Sequence, residues 1–394
     1  MGTRATSERN ELVLARNSNG SGKGLRRDKV ESNKGFTLIE LLVVIAIIAL
    51  LIGILLPGLA ESRRLAKVII CKTNMRTMAQ GVNNYASEYQ DKIATFSWTR
   101  NKWNPSVTAP AGLADLRGPY SDDLRGASAQ AVAIMRTRGD APDMPFIPLW
   151  QPFVLYNHLV LQEYLDLPLP SKYVVCPDDK NRLRWQNKAD FRAGRAGPQP
   201  DPSDPNNWRW SYSSSYQYTP STYSPDRGDA PRFNTIIQAG LHFQYQFSNA
   251  AAGDGQNNVL GRRRFGDVAF PQQKVLLIDQ AARHFGKRDW YYAYPQAKLP
   301  IAFYDGHVRL IETGTPTQIT AGRARGAVAN PGYQPANPRG NGVTTFQYQP
   351  NFWEAPLRNG TRVGSETVIG YYNWTRGGMQ GVDVNGDEIN TANW

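Results

Sequence analysis

Gly35-Phe36-Thr37-Leu38-Ile39-Glu40-Leu41-Leu42-Val43-Val44-Ile45-Ala46-Ile47-Ile48-Ala49-Leu50-Leu51-Ile52-Gly53-Ile54-Leu55-Leu56 decides how this chain is organised. From Phe36 to Leu56 there are 21 residues, and Glu40 is the single charge among them. At about 1.5 Å per residue, a helix of that length spans roughly 30 Å of hydrocarbon. An acidic residue costs about 2.5–3.5 kcal/mol at the centre of such a helix and less towards its end. A carboxylate kept there calls for a partner, and the segment contains no Lys or Arg to supply one. A free amine created at Phe36 by cleavage would do so, in the same subunit or in a neighbour.

The stretch resembles the N-terminus of type IV pilins and type II secretion pseudopilins. Lys34-Gly35 matches the end of their leader, where prepilin peptidase cuts. Phe36 matches the residue that becomes the N-methylated N-terminus, and Glu40 the fifth mature residue, which pairs with a neighbouring subunit's amine during assembly. Pro57 matches a proline that bends the helix in many pilins. The resemblance implies a structural subunit of a pilus or secretion pseudopilus, minor or specialised because of its large head. Its partners would be prepilin peptidase, other pilin or pseudopilin subunits and an inner-membrane assembly platform. It also implies an α+β, pilin-like fold, a long helix packed on a mainly antiparallel β head. The alternative is a membrane-anchored binding protein that displays the same head.

The segments on either side fit this arrangement. Met1–Gly35 carries eight basic residues against four acidic ones, net +4, which holds that end in the cytoplasm and sends the rest outward. The expected location is therefore a single-pass inner membrane protein with its head periplasmic or extracellular. Gly20-Ser21-Gly22-Lys23-Gly24 lacks the first Gly and the Ser or Thr of a phosphate loop and reads as part of a flexible leader. Beyond Leu56 the pattern becomes one-sided. Leu65, Val68, Cys71, Met75, Met78, Val82, Tyr85 and Tyr89 recur three and four apart, the face of an amphipathic helix. The expected division is a leader over 1–35, a spanning helix over 36–56 and its amphipathic continuation over 57–90. A β-rich head over 91–311 and a Gly/Pro/Asn-rich extension over 312–394 follow.

Within the head, Lys274–Asp279 reads as a buried strand, and Tyr173-Val174-Val175 as a strand end. Ile301–Tyr304 and His307–Ile311 read as a hairpin around Asp305-Gly306. The composition otherwise is rich in Gly and Pro and is read as non-helical. Gly194–Asn207 and Ala321–Gly342 read as long exposed loops. The head also resembles a large group of pilin-like proteins whose heads have no known function. Cys71-Lys72-Thr73-Asn74-Met75-Arg76, Val175-Cys176-Pro177 and Phe303-Tyr304-Asp305-Gly306-His307-Val308 carry that resemblance. The group often has a His ten positions before the Asp; here that position is Pro295, and His284 lies further back.

The candidate sites follow from residue type and spacing. Cys71 on the helix stripe and Cys176 beside the Cys-Pro turn make a disulfide candidate in an exported head. Such a bridge would close about a hundred residues and add about 4–5 kcal/mol in the chain-entropy model; two unpaired buried thiols are the alternative. Two cysteines alone make no structural zinc site, and His158, His242, His284 and His307 show no ligand spacing. Asp383, Asn385 and Asp387 place oxygens at alternate positions, like the start of a calcium loop, with a metal-free polar turn as the alternative. Calcium is the one cofactor the residues bring forward. The chain is +12, and Arg182, Arg184, Lys188 and Arg192 cluster around Trp185, a pattern that suits DNA or an acidic polysaccharide. Arg262–Arg264, Arg323 and Arg325 form further basic groups. Asp305 and His307 have no Gly-x-Ser-x-Gly elbow beside them, so no enzyme is expected.

Overall fold

The computed structural model describes residues 36–100, 112–148, 150–165, 168–197, 199–200, 207–223, 234–238, 245–249, 260–313, 332–333, 345–371, 373, 379 and 383–384. The chain divides into two units, Met1–Gly58 and Leu59–Trp394. A single helix, α1 (Leu38–Glu88), contributes to both and contains Pro57.

In the first unit α1 is a bare apolar rod. Every residue of 36–56 is exposed, and the helix is long and apolar enough to cross a membrane. Its N-terminus is closed by Thr37 and Glu40. Glu40 N–H donates to Thr37 Oγ1 at 3.2 Å, and Thr37 N–H donates to Glu40 Oε2 at 2.9 Å. This is a capping box, which satisfies two helix-end N–H groups reciprocally.

In the second unit the same helix becomes the spine of a core. Val68, Cys71, Met75, Met78, Ala79, Val82 and Ala86 are buried. Their three- and four-residue spacing puts them on one face, as the stripe predicts. The stripe ends sooner than expected, since Leu65 and Tyr89 are exposed.

The head is α+β. The sequence reading expected no helix in it, and α2 (Asp123–Arg138) corrects that. Asp122 caps α2 by accepting the Arg125 N–H at 2.9 Å, and Gly139 ends it with its N–H on Met135 O. Gly126, Ala127, Ala129, Ala131, Val132, Ala133 and Met135 are all buried, so α2 runs through the core without a fully polar face. Shorter helical pieces follow: α3 (Pro152–Leu155), α4 (Gln162–Leu165), α5 (Lys180–Trp185) and α6 (Lys188–Arg192). Tyr173-Val174-Val175, read as a strand end, instead overlaps a 3-10 turn, Lys172–Val174, in which Ser171 Oγ accepts the Tyr173 N–H.

The described strands are β1 (Tyr216–Tyr218), β2 (Asn234–Gln238), β3 (Tyr245–Asn249), β4 (Val275–Asp279), β5 (Ala281–Ala282), β6 (Trp290–Tyr291), β7 (Lys298–Phe303), β8 (Val308–Glu312), β9 (Gly332–Tyr333), β10 (Thr345–Tyr348) and β11 (Glu366–Ile369). They pair antiparallel throughout. The main sheet has the order β1-β4-β7-β8. β4, the strand expected over 274–279, is buried at every position. The β7–β8 hairpin forms as expected, with Gly306 in the left-handed region at φ +87°. The core does not stop at residue 311. Tyr348 of β10 stacks on Tyr291 at 3.6 Å, and Trp353 packs against Trp185 and Trp210.

Close packing at α2 is testable. A Cβ on Gly126 would lie 2.4 Å from Trp98 O, a backbone atom that cannot swing aside. Gly126→Ala should therefore destabilise the full chain in detergent by about 1–3 kcal/mol in denaturant unfolding. Gly266→Ala, with open space around its Cβ, should stay within about 0.5 kcal/mol of the parent.

Candidate functional site

Two places in the described structure concentrate polar chemistry, one in each unit. The first is the head of the apolar rod. Glu40 Oε2 accepts from both Thr37 N–H, at 2.9 Å, and Thr37 Oγ1, at 2.8 Å. The glutamate thus has an in-chain partner that the reading of the segment as one charge among apolar residues passed over. The Thr-x-x-Glu spacing ahead of an apolar run was the available signal. Both of the contacts from Thr37 fall on Oε2. Gly35, the expected cleavage residue, lies outside the described residues.

The second place lies in the head, where α1 meets the main sheet. Cys71 comes from α1, Cys176 from the turn after residues 172–174, Asp279 from the end of β4, and His284 from just after β5. All four are buried, with one ligand atom of each within 4.8 Å of the others. The two sulfurs, the disulfide candidate, lie 3.1 Å apart with no bridge drawn between them. His284 Nε2 lies 3.1 Å from Cys71 Sγ and 3.4 Å from Cys176 Sγ. Its Nδ1 meets Asp178 Oδ2 at 2.8 Å, and Lys67 forms an ion pair with the same carboxylate. Tyr216 Oη donates to Cys71 Sγ at 3.2 Å.

Electrostatics at this cluster are dominated by burial and close partners. Burial pushes the Cys176 thiol well above its ordinary value. Burial of His284 works against its protonated form, but contacts with Cys176, Asp279 and Asp178 outweigh that and raise it to about 9. Beside them, Asp179 is fully buried. Burial opposes its charge, and Arg283 and Arg182 overcome that, holding it down at about 2. Arg182 donates to Asp179 Oδ2 at 2.7 Å, and Arg283 lies 3.1 Å from the same oxygen.

The other histidines have different settings. His158 is buried, which lowers it to about 3 and keeps it neutral. His307 Nδ1 meets Asp305 Oδ1 at 2.5 Å while its ring stacks on Phe303 at 4.3 Å. That pair closes the β7–β8 turn. His242 lies outside the described residues.

The expected basic-aromatic patch is not a single surface. Trp185 is fully buried among Phe191, Trp210 and Trp353, so it offers no face to a base or sugar. Arg182 is buried too, over the Trp353 ring. Lys188 pairs with Asp140 at 3.0 Å and Arg192 with Asp143 at 3.2 Å, while Arg184 is exposed. Of the second basic group, Arg263 is buried. Arg323 and Arg325 lie outside the described residues.

At the tail, Asp383 is buried rather than held out in a loop. Its Oδ1 accepts from Lys274 Nζ at 3.0 Å and its Oδ2 from the Val275 N–H at 2.9 Å. Asn385 and Asp387, the other oxygens of the calcium candidate, lie outside the described residues.

With this geometry in view, comparison with known proteins converges on the first site. Residues 32–56 match the family model described as the prokaryotic N-terminal methylation motif. A type IV major pilin protein, PilE1, of Neisseria gonorrhoeae is 29% identical over 106 residues, covering 27% of this chain and 54% of its own. The type IV major pilin protein PilA of Myxococcus xanthus is 31% identical over 91 residues, covering 22% of this chain and 41% of its own. The chain spans about half the length of these curated relatives or less. No solved structure matches. The chain thus carries an N-terminal methylation motif and a candidate transmembrane helix, and is similar in part to type IV major pilins.

The Lys274–Asp383 pair makes a distinct prediction. Removing one partner of a fully buried ion pair strands the other, at about 3–5 kcal/mol. Asp383→Ala should lower the unfolding free energy of the full chain by that amount in denaturant titration, equally with and without a calcium chelator. Lys274→Met combined with Asp383→Asn, which keeps an acceptor for the Val275 N–H, should recover part of the loss.

Proposed function

We propose that the protein is a structural subunit, minor or specialised, of a type IV pilus-like or type II secretion pseudopilus filament. The run 36–56 carries this reading. From Leu38 it is a helix exposed on all sides, with one charge, a glutamate capped by Thr37 and placed fifth from Phe36. Such a surface is stable only in lipid or against similar helices, because in water it would expose far more contiguous apolar area than a soluble monomer tolerates. Both environments occur in the life of a pilin, first as a membrane-held precursor and then in a filament core.

Prepilin peptidase would cut between Gly35 and Phe36, and the new amine would be methylated. The basic leader keeps that cut on the cytoplasmic side of the inner membrane, and the head lies beyond it. An assembly platform in that membrane would then pass the subunit into a polymer with other pilin or pseudopilin subunits. A head running from residue 59 towards 394 is bulky for a repeating lattice, which favours a minor or specialised position. The role is mechanical rather than enzymatic.

Glu40 would serve twice. In the free subunit it caps α1 through Thr37, and in the polymer its carboxylate would pair with a methylated amine. In a low-dielectric helix bundle, an amine without its partner costs about 3–5 kcal/mol, roughly a hundred- to several-thousandfold in assembly.

Two measurements test this reading. N-terminal mass spectrometry of membrane fractions should find a mature chain that begins at methylated Phe36. An intact Met1 end, or a cut beyond Leu56, would overturn the proposal. Glu40→Gln, which keeps an acceptor for the Thr37 N–H but no charge, should be processed and membrane-embedded at normal levels yet nearly absent from sheared filament. Normal incorporation of Glu40→Gln together with loss of Glu40→Ala would assign Glu40 to capping alone.

A further inference from the structure

We infer that Cys71, Cys176, His284 and Asp279 form a closed structural site for one divalent metal ion of the zinc class, which ties α1 to the head. The donor set is two thiolates, an imidazole and a carboxylate. That mixture suits a borderline-soft ion and disfavours calcium or magnesium, which take oxygen ligands.

Geometry comes first. The two sulfurs and His284 Nε2 form a triangle with edges of 3.1, 3.1 and 3.4 Å, and Asp279 lies within 4.8 Å. With metal–sulfur bonds of about 2.3 Å and metal–nitrogen bonds of about 2.0–2.1 Å, tetrahedral donors sit about 3.5–3.8 Å apart. To accept the ion the sulfur–sulfur edge needs to open by about 0.7 Å and the sulfur–nitrogen edges by about 0.1–0.5 Å. The surrounding groups orient it. His284 Nδ1 is engaged by Asp178, which leaves Nε2 facing the sulfurs, the arrangement by which a carboxylate fixes the ring of a ligating histidine.

Asp279 supplies the independent observation. Its side chain is fully buried. Oδ1 accepts from the Ala281 N–H at 3.2 Å and from Arg283, whereas Oδ2 has no hydrogen-bond partner among the described residues. A buried carboxylate oxygen left without a donor is costly. A Cys71–Cys176 disulfide would not relieve it, because a bridge has no proton or charge to offer, and it would also leave His284 Nε2 without its thiol partners. A divalent cation satisfies all four groups at once. Two thiolates and one carboxylate around it leave one net negative charge, beside Arg283. With four protein donors, all buried, there is no open position for substrate, so the site is structural.

The test uses the full chain, extracted from membranes in detergent without chelator or reductant. Elemental analysis should find about one zinc-class ion per chain, and neither cysteine should be alkylated until a chelator is added. Exchange with cobalt(II) should give the near-ultraviolet thiolate-to-cobalt charge-transfer band and the strong visible absorption of a tetrahedral centre. Asp279→Asn, and Asp178→Asn at the supporting carboxylate, should each weaken binding, the latter about 10–100-fold. His307→Ala, on an exposed turn elsewhere, should leave it unchanged. If the variants do not fold, the wild-type measurements decide alone. A Cys71–Cys176 disulfide in the freshly isolated protein overturns the site. So do metal-free cysteines that are alkylated in the native chain and that take up no cobalt.

Discussion

The packing of one face of α1 against the head is the constraint on which the second unit depends. Val68, Met75, Met78 and Val82 put an apolar ridge into the core, and Gly81 lets Leu165 approach to 3.0 Å of where a Cβ would sit. The same helix carries Cys71 to within reach of Cys176 and His284. Helix and head are therefore joined by apolar burial along the ridge and by a compact polar cluster at one point on it. Only the residues upstream of that ridge are left exposed all round.

Charge inside the head is handled by neutralisation at short range. Asp179 sits between Arg182 and Arg283, and Lys274 is paired with Asp383. Each ion is also hydrogen-bonded to other groups, such as Ser215 on Asp179 and the Val275 N–H on Asp383, which is what makes a buried charge tolerable. These networks explain why the basic residues around Trp185 do not form one aromatic-backed patch. Several of them are spent on acidic neighbours, and the tryptophan itself fills the core. Residues beyond 312 join the same scheme, through Tyr348, Trp353 and Asp383, so the head uses much of what composition marks as an extension.

Where reading the chain succeeded and where it failed follows from the range of the interactions. The amphipathic stripe, the buried strand Val275–Asp279 and the Asp-Gly hairpin were all legible, because a helix face, a short apolar run and a tight turn are local patterns. Helix α2 was not. Its buried residues run almost without a break from Gly126 to Met135, so they leave no one-sided period to find. Cys176 was expected next to a strand and instead follows a 3-10 turn that Ser171 starts.

By itself the sequence determined the apolar rod and its glutamate, and hence the likeness to pilins over this segment. Those features depend on residues within a few turns of one another, and lipid or a neighbouring helix reads them in order along the chain. Only the tertiary structure decided that Glu40 is capped by Thr37, that Trp185 is core rather than platform, and that Asp383 answers Lys274. It alone decided that Cys71, Cys176, His284 and Asp279 meet. Their separations along the chain carry no ligand spacing, because the helix, the turn and the sheet that present them are brought together by burying the apolar face between them.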